Sequence, residues 1–215
     1  AVLVGDYLLS KGLLLSLNNK DHLVLQILSN AVKEMSEGEL LQIEKSRNLN
    51  LKEEVYYEII KGKTASLLAS SCAAGASSTF ESEAAIDQMR LFGEKVGMAF
   101  QIKDDLFDYS SKNIGKPTGN DIKEKKLTLP LIYILNNCSP SLKKQIIYIV
   151  KNQNTQKDKV AFVIEQVEAL GGIDYATKKM FSYRDEALEL LYRFPTSPIR
   201  DALEELVRYT TDREY

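Results

Sequence analysis

Phe100-Gln101-Ile102-Lys103-Asp104-Asp105-Leu106-Phe107-Asp108 closes a long run, Glu81 to Asp108, in which Ala85, Met89, Phe92, Val96 and Phe100 recur every three or four positions. That period belongs to an amphipathic helix. Three carboxylates then crowd into its last five positions. With 3.6 residues per turn, Asp104 and Asp108 are expected on one face, with Gln101 a turn earlier on it and Asp105 beside them. Like charges at that spacing repel by roughly 0.2–0.5 kcal/mol per pair on an exposed helix. The helix dipole also disfavours anions at a C-terminus. A bound cation is the natural compensation. Carboxylate oxygens are hard ligands, and Mg²⁺ is commonly held by one or two carboxylates together with substrate phosphates. A solvated acidic helix end fits the spacing too.

The loop that follows favours the cation. Gly115-Lys116-Pro117-Thr118-Gly119-Asn120-Asp121, with Lys123, Lys125 and Lys126, combines backbone freedom with phosphate-binding charge. It reads as a mobile lid over an anion–metal site, against the plainer reading of a solvated charged loop.

The totals constrain the setting. The chain has 215 residues, which suits one large domain or two small ones. Its 28 Lys+Arg against 30 Asp+Glu leave a formal charge of −2, which asks for neither nucleic acid nor an acidic membrane surface. Cys72 and Cys138 sit in apolar settings without metal-type spacing and read as reduced thiols of a cytoplasmic protein. No apolar run is long enough to span a bilayer. The N-terminus lacks a signal-peptide layout. It opens inside an apolar helical pattern without Met, which reads as a start in mid-fold.

Outward from the aspartates, every segment reads as helix. Ala1 to Leu17 is apolar nearly all round, as in a helix buried within a larger bundle, and Asp6 on it would then need a partner. Asp21 can cap a second helix that reaches Glu44, with His22 in its first turn. Gly38 within that helix marks a close approach of backbone or ligand, and Glu39 and Gln42 face the same gap. Leu51 to Ala76 carries Lys61-Gly62-Lys63-Thr64-Ala65 followed by a face of small residues suited to close packing. Lys63 and Thr64 put a cation and a hydroxyl side by side, which suits an anionic oxygen. Gly93 and Gly97 again indicate close helix packing. Beyond the loop come Leu127–Asn136, a helix opened by Ser139 and Pro140, Asp158–Ala169, Ile173–Tyr192, and a last helix opened by Ser197 and Pro198. No stretch alternates with period two. The expectation is an all-α bundle of long antiparallel helices around a central cavity, forming a single domain over residues 1–215.

The stretch from Gly97 to Leu135, GMAFQIKDDLFDYSSKNIGKPTGNDIKEKKLTLPLIYIL, resembles the trans-isoprenyl diphosphate synthase (polyprenyl synthetase) family. So do AVLVGDYLLSKGL at residues 1–13, SEGELLQIE at 36–44 and KGKTASLLAS at 61–70. The resemblance implies an all-α bundle, often a homodimer, in which two aspartate-rich motifs face each other across a cavity mouth. They hold Mg²⁺ ions that bind the diphosphate of an allylic substrate. On this chain Asp104, Asp105 and Asp108 match the second motif and would be metal ligands and catalytic residues, with Gln101 on the same face. Lys63 and Thr64 match the pair that contacts the allylic diphosphate, Lys63 with a catalytic role. Lys116 and Lys126 match lysines near the second motif, Asp121 an acidic residue supporting it, and Gln42 a position where many members have Asp. The implied activity is addition of isopentenyl diphosphate to an allylic diphosphate. Leu, Val and Ile on Ala1–Leu17 and Leu23–Leu41 would wall the product cavity.

The first aspartate-rich motif and the basic residues upstream of it are not in this sequence, so N-terminal helices are expected to be missing and these residues alone are expected not to elongate. Two other readings stay open: a non-catalytic partner subunit of a prenyl synthase, and a class I terpene cyclase.

Overall fold

The computed structural model describes residues 2–46, 52–79, 82–109 and 118–213. Among these residues the chain is all helix and turn, with no strand. α1 (Val2–Asn18) and α2 (His22–Ser46) form a hairpin. α3 (Glu53–Ile60) runs through one π-helical turn, Lys61–Ala65, into α4 (Ser66–Ser77). α5 (Glu83–Phe107) is the axis of the molecule and lies between α4 and α10 (Gly172–Leu191). α6 (Asn120–Lys123) is a single turn. α7 (Leu129–Asn137), α8 (Pro140–Asn152) and α9 (Lys157–Ala169) form a satellite packed through α7 and α9 on α10. α11 (Pro198–Asp212) closes over α10 and α5.

The expected start signals work as caps. Asp21 accepts from Val24 N at 3.0 Å, Ser139 from Leu142 N at 3.3 Å and Ser197 from Arg200 N at 3.2 Å. The small residues serve packing: a Cβ on Gly97 would lie 2.5 Å from Ala65 Cα and one on Gly93 2.5 Å from the Leu68 carbonyl oxygen. α4 and α5 therefore touch backbone to backbone. Three apolar clusters fill the interior, the central one joining Tyr56, Ile60, Met98, Ile102, Leu129 and Met180. Its members come from α3, the π-helical turn, α5, α7 and α10, so five segments pack into the wall beside the aspartates.

The first helix departs from expectation. α1 packs on α2, and Ser16 is its one buried residue. Val4, Leu8 and Leu15 share a face and are exposed, Leu8 and Leu15 at 63% each. Asp6 is exposed on the same helix. An all-round apolar helix is expected to be covered, but α1 packs chiefly on α2 and leaves its other side exposed. Cys72 and Cys138 are both free and half-buried. No helix among the described residues is long and apolar enough to cross a membrane.

Candidate active site

The site begins with a glycine crossing. Gly38 of α2 meets Gly62 so closely that a Cβ on Gly38 would fall 2.6 Å from Lys63 N, and one on Gly62 would fall 3.0 Å from the Glu34 carbonyl oxygen. This is the close approach expected at Gly38, and its partner is backbone. The chain answers with the π turn, which adds a residue to the helical ladder and re-aims the side chains that follow. Such turns often mark functional sites. Here Lys63 and Thr64 enter a cavity of about 120 Å³ whose lining also includes Gln42, Tyr56, Gln101, Asp105, Asp121 and Lys126.

Lys63 Nζ bonds Gln42 Oε1 at 2.8 Å and pairs with Glu39 Oε2 at 2.6 Å. Both acceptors come from the segment after Gly38, so the crossing also aligns the α2 side chains that hold the lysine. Thr64 Oγ1 donates to Gln101 Oε1 at 2.8 Å, and Gln101 Nε2 donates to Asp105 Oδ1 at 2.9 Å. The other oxygen, Oδ2, accepts from the Tyr56 hydroxyl at 2.7 Å.

Asp105 is 7% exposed. Burial pushes its pKa up to about 7; the hydrogen bonds from Gln101 and Tyr56 oppose this, while the charges of Asp121 and Asp104 add to it. Asp121 is pushed up to about 6, first by burial and then by Asp108, against the pull of Lys126. Lys126 lies 3.7 Å from Asp121 and 2.5 Å from Glu124. Partial burial works to lower its pKa, and these acidic neighbours outweigh it, leaving the lysine above its ordinary value.

The three aspartates take different partners. Gln101 bonds Asp105, four residues on. Asp104 instead pairs with Arg213 from the end of α11, whose guanidinium lies 4.7 Å from the Phe100 ring centre and 5.2 Å from that of Phe107. Asp108 stands past the end of α5, because the helix stops at Phe107. Its carboxylate accepts from Asn120 N at 2.8 Å and Asp121 N at 3.0 Å, which fastens α6. Among the described residues no three His, Cys, Asp or Glu side chains converge as a metal cage. The donors do suit a hard divalent cation held jointly with phosphates. Asp105 and Asp121 enter the cavity, burial and neighbouring carboxylates oppose their ionisation, and lysines, Lys63 and Lys126 among them, stand by for anionic oxygens.

Lys116 lies outside the described residues, as does the first half of the expected lid. The second half is not a solvated loop. Ile122 of α6 is fully buried among Leu131, Ile146 and Val163, and Asn154 Nδ2 bonds the Lys123 carbonyl. α6 thus carries Asp121 on a fixed mount. No residue of α1 lines the cavity; its apolar walls are Ile59, Ile60 and Leu127. Sequence reasoning missed Tyr56, although it stands two helical turns before Lys63 and so on nearly the same face. It also missed Arg213, for which no local pattern gives a signal.

Fold and site together define an all-α protein whose cavity is lined with lysines and buried carboxylates, a setting for a polyanion and a hard cation. The polyprenyl synthetase family model matches residues 1–167. The chain is 31% identical over 217 residues to heptaprenyl diphosphate synthase component 2 of Bacillus subtilis, covering 100% of this chain and 61% of that protein. It is 31% identical over 219 residues to octaprenyl diphosphate synthase of Escherichia coli, covering 100% and 67%. Its fold superposes on the crystal structure of a decaprenyl diphosphate synthase from Rhodobacter capsulatus with a TM-score of 0.93 at 30% identity, covering 100% of this chain and 66% of that one. The TM-score is 0.90 at 39% identity for geranylgeranyl pyrophosphate synthase from Bacteroides thetaiotaomicron, covering 99% and 71%. The chain belongs to the polyprenyl synthetase family. It spans 61%, 52% and 65% of the length of three of the relatives it matches.

Proposed function

We propose that the protein is a prenyltransferase that adds isopentenyl diphosphate to an allylic diphosphate, and that this cavity is where the allylic diphosphate ionises. The observation that carries the reading is the placement of Lys63 and Thr64, by a π turn, in the same cavity as Asp105, Asp121 and Lys126. Lys63 and Lys126 supply positive charge for the diphosphate oxygens, and Thr64 supplies a hydroxyl donor. Both lysines already lie against carboxylates, so a diphosphate competes with Glu39 for Lys63 and with Asp121 and Glu124 for Lys126.

When the allylic C–O bond breaks, the bonding pair leaves with pyrophosphate and an allylic cation remains. Fixed cations aimed at the leaving group stabilise the charge as it develops. The π electrons of isopentenyl diphosphate then form the new C–C bond, and loss of a proton restores the double bond. Ile59, Ile60 and Leu127 keep water from the cation. Asp105 and Asp121 would hold Mg²⁺, joined by Asp104 and Asp108 if these turn from Arg213 and α6. A divalent ion held there would supply Lewis-acid stabilisation of the pyrophosphate charge.

We further infer one domain acting as a homodimer in the cytoplasm, supported by the exposed apolar face of α1 and by the two free cysteines. The test is turnover of a labelled allylic diphosphate by the full-length protein in Mg²⁺, with and without isopentenyl diphosphate. Longer prenyl diphosphates that require both substrates are expected. Turnover without isopentenyl diphosphate would point to a cyclase. No turnover until a second protein is added would point to a partner subunit.

A further inference from the structure

Tyr56 lines the cavity, yet the proposed reaction has no use for it. It is 3% exposed, sits in the central apolar cluster beside Ile60, Met98 and Ile102, and meets Tyr57 edge-on at 5.5 Å. Its hydroxyl is committed to Asp105 Oδ2, 49 residues further along the chain. We propose that Tyr56 is a positioning residue that orients Asp105 toward the cation, at one end of a hydrogen-bonded chain reaching Thr64. The inference rests on the diphosphate–metal reading of the cavity given above.

The geometry gives the chain a fixed end and a free end. Each Asp105 oxygen accepts one hydrogen bond, from Tyr56 on α3 and from Gln101 on α5. Donors on two helices set the plane of the carboxylate, and each oxygen keeps a lone pair for a cation. Tyr56 cannot follow a moving partner, because its ring is buried in the central apolar cluster. Gln101 can: its carbonyl oxygen accepts from Thr64 while its amide donates to Asp105. Thr64 has a single O–H to give. A diphosphate oxygen that takes it releases Gln101 Oε1, so occupancy at Thr64 is felt at Asp105 while Tyr56 holds the other oxygen still.

The test uses Mn²⁺ with inorganic pyrophosphate, titrated by electron paramagnetic resonance on the full-length protein, so that it does not depend on turnover. Tyr56→Phe keeps the ring and removes the donor. It is expected to weaken Mn²⁺ binding about tenfold or more, in the range found when partners of metal ligands are removed. Pyrophosphate affinity without metal should stay within about twofold, because Lys63, Thr64 and Lys126 are untouched. In an Asp105→Asn background the same substitution should cost nothing further. 4-Aminophenylalanine at position 56, which keeps both ring and donor, should restore binding and covers the case of a poorly folded phenylalanine variant. Wild-type Mn²⁺ affinity in Tyr56→Phe, or an equal loss in the Asp105→Asn background, overturns the assignment. If the wild type binds Mn²⁺ and pyrophosphate but elongates nothing, the prenyltransferase reading falls and the Tyr56 result stands on its own. If it binds no Mn²⁺ with pyrophosphate, both fall.

Discussion

Asp105 shows how one side chain can be costly to the fold and useful to the site. Its burial raises the carboxyl pKa to about 7 while the unfolded value stays near 4. The folded protein therefore keeps a proton that the unfolded chain has lost between those values. Stability from this group is complete below pH 4 and is lost as pH rises through about 7. In metal-free protein, the wild type should lose stability relative to Asp105→Asn across pH 4 to 7, by up to about 1.4 kcal/mol per pH unit. Melting curves in EDTA, compared between the two, measure the difference. Parallel pH profiles would mean that Asp105 ionises freely in the fold. The acidic cluster was evident in the sequence, but its division of labour was not. Helical spacing grouped Asp104 and Asp108 with Gln101, but the partner each carboxylate takes is set by tertiary contact: the α6 amides for Asp108, and Arg213, over a hundred residues away, for Asp104.

At the scale of elements, the crossing of α2 with the π turn sets the diphosphate side of the cavity. Gly38→Ala puts a methyl 2.6 Å from Lys63 N, a backbone atom that cannot step aside, so α2 must retreat. Overpacking of this kind typically costs about 1–3 kcal/mol. In a domain of this size each 1 kcal/mol lowers Tm by roughly 2–4 °C. Retreat also withdraws Glu39 and Gln42 from Lys63. The variant should melt several degrees lower and show a raised KM for the allylic diphosphate with a smaller change in kcat. An unchanged Tm and KM would show that the crossing is slack. This element was half-readable: an interior glycine beside Glu39 and Gln42 announced a close approach. The π turn was not readable, because it arises from the tertiary contact and has no residue pattern of its own. The caps at Asp21, Ser139 and Ser197 were fully readable because capping is local chemistry between residues three apart.

For the whole molecule, the exposed side of α1 decides what the rest of the fold needs. Val4, Leu8 and Leu15 line one face, and Leu3, Tyr7 and Leu14 beside them are exposed as well. Apolar patches of this extent are uncommon on monomers and mark association surfaces. The period of α1 foretold a covered helix, but periodicity says only that a face must be buried and not by what. A second copy of the protein is the occupant inferred here. Leu8→Glu with Leu15→Glu changes two exposed positions, so neither cavity nor core is touched. The secondary structure of the double variant by circular dichroism should match the wild type. Light scattering should find the full-length wild type at twice its formula mass and the double variant at or near one. If α1 is covered by residues of the same chain instead, both proteins will run as monomers and the variant will melt lower. If both run as dimers, the pairing surface lies elsewhere on the bundle.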